Sequence, residues 1–473
     1  MRILFVASEA TPFIKSGGLA DVIGSLPFAL QEEHECMVVL PKYKDLAKTE
    51  ELEYVTNFTV WVGWRKLYCG IFKATIENVT FYFIDNEQFF NRDGLYGYGD
   101  DYERFAFFDM AVIEMIGHLQ LQLDILHLHD WQAAMIAMLY KEKYYQYPHY
   151  ENIKIIFTIH NIAYQGKADP KIISDMFGLD DTLYTEGKCR HDGCLNMMKA
   201  AIVYSDEITT VSPTYASEIL TPTFGERLES ILQMRKNNLH GIINGIDDTI
   251  INPETNEDIV QTYNIEEVHQ KKGINKLALQ KEVGLPINKA IPCIGIVSRL
   301  TWQKGIDLIL CQIEELIKEN VQLIILGAGD LHYEQALIEV QKCYPTQVSY
   351  QQKYDAGLAN RIYASCDMFL MPSLFEPCGL SQMMALRFGT IPIVRETGGL
   401  KDSVDAYNKY ENTGNGFRFY NYNAHEMMST VRFALSIFRK EPKTWKLLIE
   451  NAMKADLDWK QSAKKYNDLY TMR

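Results

Sequence analysis

No apolar stretch in this chain approaches the roughly 18–20 residues needed to span a membrane. The first apolar run covers residues 3–7 and gives way to Ser8-Glu9. Helical membrane proteins are thereby excluded. No signal peptide is read at the start, so a soluble, cytoplasmic protein with no membrane partner is expected. A basic surplus is missing as well. The 47 Lys and Arg against 61 Asp and Glu leave a formal net charge of −14, and phosphodiester binding needs a basic face. Nucleic acid is not an expected partner. Cysteine occurs nine times, yet no pair stands at zinc-finger spacing, and Cys189 with Cys194 forms only one short pair. Reduced thiols fit this distribution and a structural metal does not.

What the chain does have is a repeated alternation of short apolar runs and helical spacings. At 473 residues it exceeds one comfortable core, so two domains of roughly 200 residues each are expected. In the first half, buried strands are read at 3–7, 36–40, 125–129, 153–159 and 207–211. Residues 52–84 change character, with β-branched and aromatic residues alternating with polar ones. That predicts an antiparallel meander inserted into an α/β frame. Residues 165–194 are read as loop-rich. Asn244-Gly245 and Asn252-Pro253 mark a break. The pattern then restarts, with strands at 291–297, 321–326, 347–351, 368–371 and 391–394. Alternation of this kind predicts an α/β protein with a parallel, doubly wound sheet in each half.

The candidate chemistry gathers at strand-to-helix turns, because the carboxyl edge of such a sheet is where a ligand crevice opens. Lys15-Ser16-Gly17-Gly18 lies between the first strand and a helical spacing that begins at Leu19. Free amides at a helix start suit a phosphate, and Lys15 adds a point charge. Asp130 and His160-Asn161 end two successive strands. As a metal set, His127, His129, Asp130 and His160 are poor: the first two share a strand face that Asp130 does not, and no carboxylate-rich motif accompanies them. Binding of sugar hydroxyls is the better reading. In the second half, Arg299 and Lys304 flank one turn with reach to a single polyphosphate, in the same sheet as Gly327-Ala328-Gly329. Phe375-Glu376-Pro377-Cys378-Gly379-Leu380 sets an acid just ahead of a helix. There it either caps the helix or serves a sugar hydroxyl or a positively charged reacting carbon. Ser16-Gly17-Gly18-Leu19-Ala20-Asp21 recurs as Thr397-Gly398-Gly399-Leu400-Lys401-Asp402 at another such turn.

With these motifs together, the chain resembles bacterial glycogen synthases and plant starch synthases over essentially its whole length. The resemblance implies two Rossmann-like domains, 1–248 and 249–456, facing across a cleft in the GT-B manner, with a helix at 457–473 crossing back to the first. It implies transfer of glucose from ADP-glucose to the nonreducing end of an α-1,4-glucan, with retained configuration and neither metal nor cofactor. Lys15 and Gly18 would contact the diphosphate side, and Arg299 and Lys304 would neutralise charge on the departing ADP. Asp130, His160, Asn161 and Glu376 would hold the glucose, and Tyr354 would stack on adenine. Asp21, Asn244, Gly327, Cys378, Gly379, Leu380 and Thr397 complete the expected substrate-binding set. Leu374 and Glu396 depart from the pattern, standing where bacterial relatives usually carry arginine. Among competing readings, a dinucleotide oxidoreductase would need Gly-x-Gly-x-x-Gly where Ser8-Glu9-Ala10-Thr11-Pro12 stands. A glycan phosphorylase would need a lysine-bound pyridoxal phosphate, and a non-catalytic glycan binder would not need the phosphate-facing cations. UDP-glucose is the alternative donor.

Overall fold

The computed structural model describes residues 1–472. Two compact units emerge: Met1–Asn244 together with the C-terminal stretch from Trp459, and Gly245–Asp458. The first carries strands β1 (Arg2–Val6), β2 (Glu35–Pro41), β3 (Glu53–Val62), β4 (Arg65–Ile76), β5 (Val79–Asp85), β6 (Ile125–His129), β7 (Lys154–Ile159), β8 (Lys167–Ala168), β9 (Arg190–His191), β10 (Cys194–Asn196), β11 (Glu207–Thr210) and β12 (Leu239–Gly241). Nine of these form one sheet in the order β12-β11-β7-β6-β1-β2-β5-β4-β3. Ile3, Leu4, Phe5 and Val6 are all fully buried. A strand covered on both faces has no polar side to alternate with, which is why its sequence reads as a continuous apolar run.

The expected antiparallel meander is present: β3 pairs with β4 and β4 with β5 antiparallel, and β5 joins β2 in parallel, so residues 53–85 extend one edge of the main sheet. Within the loop-rich stretch 165–194, β8, β10 and β9 form a small antiparallel sheet. Its strands are two or three residues long, too short for alternation to show in the sequence.

The second unit carries β13 (Cys293–Val297), β14 (Gln322–Leu326), β15 (Val348–Gln351), β16 (Met368–Met371), β17 (Ile391–Arg395) and β18 (Phe417–Phe419). They form an all-parallel sheet in the order β15-β14-β13-β16-β17-β18. Both sheets start centrally and grow outward in both directions. Each therefore has a switch point, between β1 and β6 in the first and between β13 and β16 in the second, where successive connections leave opposite ways and a crevice opens. The helix expected after β13 is broken into Ile306–Cys311 and Ile313–Lys318.

The helix Trp459–Thr471 packs on the first unit. Tyr470 Oη lies 2.9 Å from His127 Nδ1, and Lys154 Nζ donates to the carbonyls of Leu469 and Met472 at 2.8 Å each. A cation on the last carbonyls of a helix offsets their unpaired dipoles. Among the described residues no helix is long and apolar enough to cross a membrane.

Candidate active site

The second unit's candidate residues collect where β13 and β16 end. Lys304 and Glu376 form an ion pair at 2.6 Å, and Ser373 Oγ donates to the same carboxylate at 3.1 Å. Glu376 is only 5% exposed. A carboxylate so enclosed needs a partner, and Lys304 supplies one. The turn carrying Lys304 is locked to the Glu376 loop by backbone and side chain. Leu374 N donates to Gln303 O at 2.8 Å, Gln303 Nε2 donates to Phe375 O at 3.1 Å, and the Trp302 and Phe375 rings lie 5.5 Å apart. Helix capping does not account for Glu376, because its side chain bonds to Lys304 and Ser373.

The loop at 397–399 braces Glu376 from behind. Gly399 N donates to the carbonyl of Glu376 at 3.1 Å. A Cβ on Gly398 would stand 1.9 Å from Glu376 O, and one on Gly399 would stand 2.1 Å from Cys378 O. Only glycine permits that approach, so the recurrence of the Gly-Gly pair has a steric cause here. Thr397 and Cys378 are buried in the same place, while Gly379 and Leu380 are half-buried as they lead into the helix Ser381–Arg387.

Arg299 is exposed and makes no ion pair or side-chain hydrogen bond among the described residues. Gly327 lies at the neighbouring strand end, where a Cβ would meet Ser298 O at 1.9 Å. Tyr354 is 80% exposed, on the turn before the helix Ala356–Ser365. The two missing arginines do not leave their neighbourhood without cations. Arg395 donates to the carbonyl of Leu374, and Arg418 pairs with Glu396 at 3.4 Å.

In the first unit, the candidates lie where β1, β6 and β7 end. Lys15 Nζ pairs with Asp21 at 2.6 Å. The amides of Ser16 and Gly17 are not free: both donate to the carboxylate of Glu9, the Gly17 bond at 3.2 Å. That corrects the expectation of an open amide cradle and brings in Glu9, which the motif reading passed over. Its one signal was position, an acid two residues beyond the end of a buried strand. Burial pushes the Glu9 carboxyl up, and the two amides hold it partly back. Gly18 opens the helix Gly18–Ile23.

Asp130 takes φ 58° and ψ −177°, a backbone state that costs a non-glycine residue roughly 1–3 kcal/mol. The bend lets its carboxylate accept the His160 N–H at 2.8 Å and the Asn161 N–H. Burial raises the Asp130 carboxyl to about 7 against the pull of those two amides. His160 Nε2 lies 3.0 Å from His129 Nδ1. Asn161 Oδ1 accepts from Ala163 N at 3.1 Å. Asn244 is buried just past β12, with no hydrogen-bond partner for its Oδ1 among the described residues. The hydroxyl of Tyr96 meets Ser8 Oγ at 2.7 Å. Among the described residues no cluster of three or more His, Cys, Asp or Glu side chains is arranged to hold a metal ion.

Comparison with known proteins shows the family to which the chain belongs. Residues 2–234 match the family model for the starch synthase catalytic domain, and residues 280–454 match that for glycosyl transferases group 1. The glycogen synthase of Clostridium beijerinckii is 50% identical, with 99% of this chain and 98% of that protein covered. That of Geobacillus thermodenitrificans is 46% identical over 99% and 97%. Among solved structures, the catalytic domain of starch synthase IV from Arabidopsis thaliana, bound to ADP and acarbose, matches with a TM-score of 0.93. It is 34% identical and covers 99% of this chain and 98% of that one. A sucrose-phosphate synthase from Thermosynechococcus elongatus, 15% identical at a TM-score of 0.61 over 99% and 98%, shares the fold. The two α/β units, each with its own switch point, are thus those of a GT-B glycosyltransferase, and the chain belongs to the glycogen and starch synthase family.

Proposed function

We propose that this chain extends an α-1,4-glucan in the cytoplasm by transferring glucose from ADP-glucose to the nonreducing end, with retention and without a metal or cofactor. The observation that carries the reading is the enclosed ion pair of Lys304 and Glu376 at the β13/β16 switch point. Breaking the anomeric C–O bond leaves positive charge on the sugar and an extra negative charge on the nucleotide. A fixed carboxylate and a fixed ammonium side by side suit that separation, and neither has to reorganise as it develops. Arg299 and Lys304 serve the departing diphosphate, and Lys15 and Gly18 are its further contacts. Asp130, His160, Asn161 and Glu376 hold the glucosyl group, and Tyr354 offers a ring to the adenine. Asp21 holds Lys15; Asn244, Gly327, Thr397 and the 378–380 turn shape the donor's surroundings. The acceptor hydroxyl attacks C1 on the face the phosphate leaves and passes its proton to the leaving phosphate oxygen. Expulsion of water protects the reactive sugar from hydrolysis.

The test is glucose incorporation into glycogen from ADP-glucose and from UDP-glucose, with Lys304→Ala and Glu376→Ala beside the parent. ADP-glucose is the better donor in the expected result. Each variant loses roughly 10²–10³-fold in kcat while remaining folded. Full activity of Lys304→Ala would remove its leaving-group role.

A further inference from the structure

The strand β6 places His127 and His129 on one face, and both are fully buried. His127 has both ring nitrogens engaged, Nδ1 with Tyr470 Oη at 2.9 Å and Nε2 with Thr158 Oγ1 at 2.7 Å. His129 differs. Its Nδ1 meets His160 Nε2 at 3.0 Å, while its own Nε2 is buried with no hydrogen-bond partner among the described residues. The ring is fixed between His127, 4.2 Å away between centroids, and Phe5, stacked at 6.1 Å.

We propose that His129 is a positioning residue that sets the tautomer of His160, making His160 an Nδ1–H donor to a hydroxyl oxygen of the glucosyl group. This rests on the reading above that His160 holds the glucose. One proton lies between His129 Nδ1 and His160 Nε2, and two neutral arrangements place it. If His160 donates, then His129 carries its hydrogen on Nε2, and a buried N–H is left without an acceptor. If His129 donates, its Nε2 keeps only a bare lone pair, and the hydrogen of His160 moves to Nδ1. Orphaned buried N–H groups are the rarer and costlier of the two. The second arrangement is therefore the stable one. Burial also holds His127 and His160 down to about 3, and His129 well below its ordinary value, so all three rings are neutral near pH 7. His160 thus serves as a hydrogen-bond donor of fixed direction and does not trade protons with solvent.

The decisive measurement needs no variant. ¹⁵N spectra of histidine-labelled protein, with His160 assigned through His160→Gln, are expected to show its hydrogen on Nδ1. A hydrogen on Nε2 overturns the proposal. Two substitutions then test the consequence. In His129→Asn, the amide nitrogen takes the place of Nδ1 as a donor; in His129→Phe, no donor is left. The expected result is a fall of roughly ten- to a hundredfold in kcat/KM for His129→Phe, with His129→Asn recovering most of it at an unchanged melting temperature. The effect of His129→Phe disappears in a His160→Ala background if it acts through His160. Full activity of His160→Ala would sink the glucose-holding reading itself. A weakened His160→Ala beside an unimpaired, folded His129→Phe would sink only the role of His129.

Discussion

A Gly-Gly turn behind a small hydroxyl residue does different work in the two units. Ser16-Gly17-Gly18 and Thr397-Gly398-Gly399 both open a helix after a strand. In the second unit, the glycines exist for contact: a Cβ would run into the backbone of the Glu376 loop at about 2 Å. In the first unit, a Cβ on Gly17 would sit 3.8 Å from the Glu9 carboxylate, an ordinary distance, and the turn's amides hold that carboxylate instead. One sheet edge presents an enclosed ion pair; the other presents neutral imidazoles, a raised carboxyl and an amide-bound acid. Repetition in sequence marks where a turn falls, and packing decides what the turn is for.

That contrast can be broken or sharpened by experiment. The largest difference is expected between the two lysines. Lys304 is enclosed with Glu376, whereas Lys15 is about one-third exposed beside Asp21. Lys15→Ala should lose roughly tenfold in kcat/KM, an order of magnitude or more less than Lys304→Ala; equal losses would mean the two cations share the charge evenly. Next come the glycines. Gly399→Ala should destabilise the second unit by about 2–3 kcal/mol, since backbone must move. Gly17→Ala should change stability by less than about 1 kcal/mol. Urea unfolding of both variants measures this.

Acid gives the smallest and most local effect. His127 and His160 are held to about 3 in the folded chain, against an ordinary value near 6.5. Between those values the unfolded chain binds more protons, so stability falls as pH drops from about 6.5. Asp130, raised to about 7, works in the opposite sense: the folded chain keeps its proton longer, so its contribution grows on acidification. Burial also raises Glu9, Asp21 and Asp109, which side with Asp130, but the three imidazoles stand on β6 and just past β7, so the loss on acidification is local to those strands. Hydrogen exchange at pH 7 and pH 5, corrected for intrinsic rates, should show amides of β6 and β7 losing protection before those of β13 and β16.

Much of the α/β alternation was legible because buried parallel strands leave apolar runs and their helices leave periodicity. The approach of Lys304 to Glu376 was legible only in part, since the turn motifs name the residues while strand order brings them together. β13 and β16 are neighbours although residues 298–367 intervene, and no local pattern encodes that. The helix Val268–Glu282 escaped notice for a specific reason. Its inner face carries Lys272, Lys276 and Gln280, all buried, where an amphipathic pattern would place apolar residues. Lys272 Nζ reaches the carbonyls of Tyr363, Ala364 and Phe388 and the hydroxyl of Thr390 at 2.7–3.1 Å. A helix that buries hydrogen-bond donors against loose carbonyl ends looks solvent-facing in sequence. Glu9 was hidden differently, as a lone acid without a motif.

The first unit is assembled from two stretches of chain that the whole second unit separates. Until residues 459–472 leave the ribosome, His127 has no Tyr470 to meet and Lys154 has no carbonyls of Leu469 and Met472 to bind. Synthesis runs from the amino end, so the half that is made first is the half that must wait to close, and the second can finish folding while the first is still incomplete.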